Sequence, residues 1–212
     1  VDSGNPIKVN LNYENGIPQV LFKDKSEIPQ FTKAGFQKRK IPKNVFQGIL
    51  SFYRREKEKS SPEFDPSDSK SGLNDFISSS KVEFPTNLIQ LDDHIVNEIF
   101  IGLKAMVEEW SGNREILQTY CYGIRTYFDG AILKKHTDVF QTRILSAILN
   151  IDQQVNEAWP LQIDDHNGVE HEVFLKPGEL LLYESATLNH GRVKPLNGDF
   201  YSNVFVHYIC IS

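Results

Sequence analysis

Hydrophobic and polar positions change their period twice along this chain. Between Ile7 and Phe22 apolar residues alternate loosely (Ile7, Val9, Leu11, Tyr13) ahead of Asn15-Gly16. That pattern predicts a hairpin with a primed two-residue turn. The period then lengthens. Asn44 is placed to cap a helix whose apolar stripe is Phe46, Ile49, Leu50 and Tyr53, and which runs into the charged stretch Arg54 to Lys59. A second and clearer helical stripe is Ile95, Ile99, Leu103, Met106 and Trp110. Asp92 or Asp93 caps its start and Gly112 closes it, and its reading is core packing. Between the two, residues 60–81 are dense in Ser, Asp, Pro, Lys and Gly. They read as a long mobile loop anchored by Phe76 and Ile77, serving either as a lid or as a plain surface insertion.

After Glu115 the period shortens again. Short apolar runs appear at Leu117–Tyr127, Ala131–His136, Arg143–Ile151, Leu161–Ile163, Glu170–Leu175, Glu179–Glu184, Asn189–Val193 and Phe200–Ile211. Asp129-Gly130, Asn167-Gly168, Pro177-Gly178 and Asn197-Gly198 punctuate them. Such a series of short strands predicts an all-β sandwich or barrel. Helices preceding strands make the whole an α+β fold with supporting helices packed on one sheet. Residues 1–115 are then an N-terminal hairpin and helical elaboration, and 116–212 the strand-built core, within one structural domain.

Composition narrows the options without choosing among them. A net charge of -5 argues against a nucleic-acid partner, and the basic runs Lys38-Arg39-Lys40 and Arg54, Arg55 and Lys57 read as solvated faces. Two cysteines, Cys121 and Cys210, in apolar surroundings build no disulfide framework and no CxxC motif. No apolar run is long enough to span a membrane, no signal peptide is visible and no Asn heads a glycosylation sequon. Together these point to a soluble protein of cytoplasmic type. They leave the oligomeric state open.

The chemistry lies in His136-Thr137-Asp138, at the end of a strand-like run. In an extended chain, residues two apart share a face, so this imidazole and carboxylate converge. His190, on a later predicted strand, is the third candidate ligand. Two histidines and a carboxylate on one face of a metal leave open positions, the arrangement that non-haem Fe(II) oxygenases use; Zn and Mn accept the same donors. The other histidines have ordinary readings: His94 begins a helix, His166 and His171 flank an exposed turn, and His207 could face either way. Trp159 reads as packing at the barrel rim.

These residues, with Arg125-Thr126-Tyr127-Phe128-Asp129-Gly130, Lys135-His136-Thr137-Asp138, Arg143-Ile144-Leu145-Ser146, Lys176-Pro177-Gly178-Glu179-Leu180-Leu181-Leu182-Tyr183, Asn189-His190-Gly191-Arg192 and Asn197-Gly198-Asp199-Phe200, give the stretch Tyr122–Tyr208 a resemblance to the prolyl 4-hydroxylase-like branch of the 2-oxoglutarate/Fe(II) dioxygenases. The resemblance implies a double-stranded β-helix (jelly roll, cupin-like) core and iron held by His136, Asp138 and His190. It also implies oxidative decarboxylation of 2-oxoglutarate by O₂ coupled to C–H hydroxylation, with ascorbate as an accessory reductant. It suggests a prolyl or other amino-acid side chain of a peptide or protein as substrate, while the same scaffold also oxidises free amino acids and small metabolites. Tyr127 matches the tyrosine that reaches the cosubstrate, and Arg143, matching an arginine that follows HxD on the next strand, is a further candidate to bind the cosubstrate.

One departure stands out. The family's Lys or Arg on the last strand, which pairs with the far carboxylate of 2-oxoglutarate, is missing: Phe200–Ile211 contains neither residue. If His190 begins a strand, Arg192 shares its face roughly 6.6 Å along, and a guanidinium suits bidentate carboxylate pairing. Lys194 shares that parity and is a second candidate. Asn203, with Asn150 and Ser202, offers further polar contacts. The departure also keeps a second expectation open, a cupin-like protein that binds a metal or small molecule without oxygen chemistry.

Overall fold

The computed structural model describes residues 10–63 and 76–211. The chain opens with a hairpin of β1 (Leu11–Glu14) and β2 (Ile17–Val20), turned by Asn15 and Gly16, both at positive φ. Next come β3 (Phe36–Lys40), α1 (Lys43–Glu56), β4 (Ser61–Pro62), β5 (Ile77–Ser79), β6 (Thr86–Ile89) and α2 (Asp93–Trp110). Eight strands follow: β7 (Ile116–Phe128), β8 (Ala131–His136), β9 (Leu145–Val155), β10 (Leu161–Asp164), β11 (Glu170–Val173), β12 (Glu179–Tyr183), β13 (His190–Arg192) and β14 (Gly198–Cys210). Each corresponds to one of the apolar runs predicted from sequence.

These eight strands build two facing antiparallel sheets. The larger has the order β3-β12-β9-β14-β7-β6-β4, the smaller β11-β10-β13-β8-β5. Apart from the β10–β11 hairpin, consecutive core strands fall in opposite sheets, which is the double-stranded β-helix. The N-terminal strands extend both sheets: β5 pairs with β8, and β6 pairs with β7. Phe76 and Ile77 do anchor the end of the 60–81 segment, since Ile77 is buried and pairs with Leu133. The lid expectation for that segment rests on residues 64–75, which lie outside the described residues.

Burial explains the strand patterns. β9 and β12 are buried on both faces, the one towards the barrel and the other towards the helices, and their sequences are apolar runs, not strict alternations. The largest core cluster lies between the large sheet and the helices and holds Ile49, Ile99, Leu103, Leu149, Val204 and Val206. Two smaller clusters fill the space between the sheets, one around Tyr127, Trp159 and Tyr201, the other around Ile148, Leu161 and Tyr183.

The helices differ in detail from expectation. The Asp92 carboxylate caps α2 by accepting from the Ile95 amide at 2.9 Å. The fourth buried position of α2 is Val107, with Met106 only partly covered. In α1, Asn44 lies inside the first turn and Pro42 is the N-cap, with no side-chain cap bond. Proline's fixed φ starts the helix there without a polar cap. The buried stripe is Val45, Ile49, Phe52 and Tyr53; Ile49 and Tyr53 lie where the sequence pattern puts them, whereas Phe46 and Leu50 are only partly covered. Among the described residues no helix is long and apolar enough to cross a membrane.

Gly102 of α2 sits where α1 crosses: a Cβ there would stand 2.2 Å from Val45 Cγ2. On an open helix face Gly→Ala stabilises by about 1 kcal/mol. Here overpacking reverses the sign, because Val45 is β-branched and stiff. Gly102→Ala is expected to destabilise by about 1–3 kcal/mol in urea titration, and an increase in stability would show that the two helices do not touch at this point.

Candidate metal centre and its cavity

Strand β13 is three residues long and pairs with β8 on one side and β10 on the other. Its register sets His190 directly opposite His136, the last residue of β8. The two imidazole centroids are 4.7 Å apart. Asp138 lies two residues past the end of the strand, and its backbone amide donates to the Ser185 carbonyl at 2.8 Å. That bond turns the carboxylate back over the end of β8. His136, Asp138 and His190 each bring one ligand atom to within 4.8 Å of the others, with His136 Nε2 3.7 Å from Asp138 Oδ1. Gly191 makes the close approach of β13 possible, since a Cβ there would lie 2.8 Å from the Leu133 carbonyl oxygen.

The outer atoms prepare the inner ones. His136 Nδ1 lies 2.9 Å from the Lys134 carbonyl and His190 Nδ1 2.9 Å from the Leu188 carbonyl. A carbonyl only accepts, so each Nδ1 carries the proton and each Nε2 presents its lone pair. Asp138 is buried and its Oδ2 has no hydrogen-bond partner, a costly state for a carboxylate unless something else occupies that side. Two neutral imidazoles aimed with one orphaned carboxylate fit a divalent cation.

Electrostatics agree. Burial works to raise the Asp138 carboxyl, but His207, His190, Arg143 and His136 around it outweigh burial and hold it below its ordinary range. Burial lowers His190 and takes His207 to about 4. Both are therefore neutral near pH 7, and a ligating imidazole must be neutral.

The triad opens into a cavity of about 630 Å³ between the sheets. Its walls include Leu133, Ile148, Leu161 and Phe205, and three arginines, Arg125, Arg143 and Arg192, also line it. Arg125 forms a two-pronged ion pair with Glu63, its Nε 2.6 Å from Oε2. Arg192 is buried, as its parity with His190 requires, and lies between two aromatic rings, 4.5 Å from the centroid of Trp159 and 4.6 Å from that of Tyr201. Its Nη1 donates to the Trp159 carbonyl at 2.6 Å, and its Nη2 has no partner. Among the described residues no carboxylate forms an ion pair with it.

The remaining sequence candidates are distributed unevenly. Tyr127 is fully buried but does not line the cavity; Arg125 stands in front of it and donates to its hydroxyl at 3.5 Å. Asn203 and Asn150 face the barrel interior as a buried pair, joined at 3.1 Å, with Asn203 Nδ2 unpartnered. Ser202 points to the helix side, bonded to Tyr53 and Thr126. Lys194 is not brought to the cavity: β13 ends at Arg192, the alternation stops there, and the lysine pairs with Glu172 on the surface. Trp159 lies in the interior, not at the rim, held by Nε1–H to the Lys194 carbonyl. His166, expected to be exposed, is mostly buried 3.2 Å from the Glu184 carboxylate.

Sequence reading missed Arg125, Tyr183, His207 and the partner Glu63. His207 lies 3.6 Å from Asp138 Oδ2 and 2.7 Å from the Ser146 hydroxyl, and Tyr183 packs edge-on against His190 at 4.8 Å. Strand parity carried a signal for two of these: Arg125 shares a face with Tyr127, and His207 with Phe205. Glu63 arrives from a distant segment and had none.

No protein-family model and no curated protein matches the sequence. Solved structures do match the fold. A prolyl-4-hydroxylase from Pseudomonas putida superposes with a TM-score of 0.58 at 16% identity, covering 82% of this chain and 92% of that one. A prolyl hydroxylase from Trichoplax adhaerens, in complex with a hypoxia inducible factor oxygen degradation domain peptide fragment, gives 0.56 at 14% identity over 83% and 84%. HygX from Streptomyces hygroscopicus, with nickel, 2-oxoglutarate and hygromycin B bound, gives 0.56 at 15% identity over 82% of each chain. The chain therefore has the fold of the prolyl-4-hydroxylase-like 2-oxoglutarate/Fe(II) oxygenases.

The triad makes a prediction independent of turnover. Anaerobic Mn(II) at about one hundred times its Kd raises the stability of the protein by about 2.7 kcal/mol. In Asp138→Ala and His190→Ala the thermal shift disappears. A full shift in either variant would place the metal elsewhere.

Proposed function

We propose that this protein is a 2-oxoglutarate-dependent Fe(II) dioxygenase that hydroxylates an unactivated C–H bond of an amino-acid substrate. A prolyl or other side chain in a peptide is the leading case and a free amino acid or small metabolite the alternative. One observation carries the reading: a His-Asp-His cluster and a buried guanidinium without a carboxylate partner line the same cavity. The fold shared with prolyl hydroxylases and with a 2-oxoglutarate-bound oxygenase supports it.

His136, Asp138 and His190 would hold the metal by Nε2, a carboxylate oxygen and Nε2, leaving its cavity side open. Bound there, Fe(II) with 2-oxoglutarate and O₂ supplies the oxidising chemistry, which yields succinate, CO₂ and a hydroxylated product. Arg192 would receive the far carboxylate. A buried unpaired cation costs several kcal/mol. The Trp159 and Tyr201 faces return on the order of 2 kcal/mol when desolvated, so an anion from the ligand completes the balance. The rings also fix the guanidinium before the ligand arrives, which lowers the entropy lost on binding. Asn203 Nδ2 is a second unpartnered donor facing the barrel interior. Leu133, Ile148, Leu161 and Phe205 keep water from the reacting centre.

Anaerobic mixing with Fe(II) and 2-oxoglutarate should give the weak visible charge-transfer band of a chelated 2-oxo acid. His190→Ala should abolish it. Arg192→Met should leave metal binding intact and weaken 2-oxoglutarate about 10- to 100-fold, the worth of a charged hydrogen bond. Iron bound without any band in the wild type would instead support a metal-binding jelly roll, the reading favoured by the missing cation on β14.

A further inference from the structure

Resting on the oxygenase reading, the cavity's charges point to the substrate. With a divalent metal and the 2-oxoglutarate dianion in place, Asp138 and Arg192 bring the centre to neutrality. Arg125 is already neutralised by Glu63. Arg143 is left over. It lines the cavity, forms no ion pair among the described residues, and its buried Nε has no hydrogen-bond partner. A guanidinium in that state lacks an acceptor.

The side chain is also held in place. One Nη donates to the Tyr122 hydroxyl, and the guanidinium lies over the rings of Tyr122 at 5.0 Å and Tyr120 at 5.6 Å, which stack on each other. Its backbone is fixed at both ends, the amide donating to the Val139 carbonyl at 3.0 Å and the carbonyl accepting from the Ser185 hydroxyl at 2.9 Å. Tyr122 reaches the metal side through an edge contact with His207 at 5.5 Å, and His207 adjoins Asp138. Lys25 adds a second cation at the mouth, bonded to the hydroxyl of Thr137, itself a lining residue. The lining carboxylates among the described residues, Glu63 and Asp138, are taken up by Arg125 and by the triad.

We infer that the substrate carries a carboxylate, which Arg143 binds beside the metal, on a face held by Tyr120 and Tyr122. A free amino acid and an acidic residue of a peptide present the same group.

The experiment follows the Nε–H resonances of the arginines in protein loaded with Zn(II) and 2-oxoglutarate. Arg143 is assigned by the signal lost in Arg143→Lys. Titration with acetate should shift Arg143 saturably, with a midpoint at least about ten-fold lower than for acetamide, while Arg125 and Arg192 stay in place. Glycine and N-acetyl-aspartyl amide then distinguish the two sources by which shifts Arg143 at lower concentration. Equal responses to acetate and acetamide, or a response at Arg192 or Arg125 in place of Arg143, overturn the inference. Failure of 2-oxoglutarate to shift Arg192 counts against the oxygenase reading alone, since the Arg143 response is read separately.

Discussion

The register between β13 and β8 is the constraint on which the site depends. A strand has a side-chain period of two, so pairing His190 with His136 sends both imidazoles into the barrel, and Arg192 with them. A slip by one residue would turn Gly191 inward and both functional side chains outward. Gly191 also sets the depth of the pairing, because any side chain there would press on the backbone of β8. The flanking carbonyls of Lys134 and Leu188 then settle the protonation of each ring.

Around this register the barrel tolerates an unusual amount of buried charge. Three guanidiniums enter one cavity, each compensated differently: Arg125 by a carboxylate, Arg192 by two aromatic faces and a carbonyl, Arg143 by two tyrosines. Only the first is complete within the described protein. Buried polar groups left unmatched mark places where a fold yields stability to binding, and here they fall in the same cavity as the His136, Asp138 and His190 cluster.

The sequence made the eight core strands legible because turns separated their apolar runs, four of the seven containing Gly, and the HxD pair legible because residues two apart in an extended chain share a face. The Arg192 parity followed from the same rule. The rule failed at Lys194, where the strand had already ended. It gave no help with Trp159, whose interior place depends on the Lys194 carbonyl and the rings of Tyr127 and Tyr201. Glu63 and the Gly102–Val45 contact are tertiary encounters between distant segments, and no local period encodes them. The start of α1 was misread because Asn44 is a good capping residue, whereas Pro42 sets the first turn through its ring.

Placing the candidate metal ligand His190 and the proposed carboxylate-binding group Arg192 two residues apart on β13 has a mechanical consequence. When the two come from different strands, the distance between them depends on inter-strand hydrogen bonds, which stretch and shear as a barrel breathes. In the tripeptide His190-Gly191-Arg192 that distance is set by covalent geometry. If the sheets move, both groups travel together, and the spacing offered to a two-ended ligand stays the same while the surrounding walls shift.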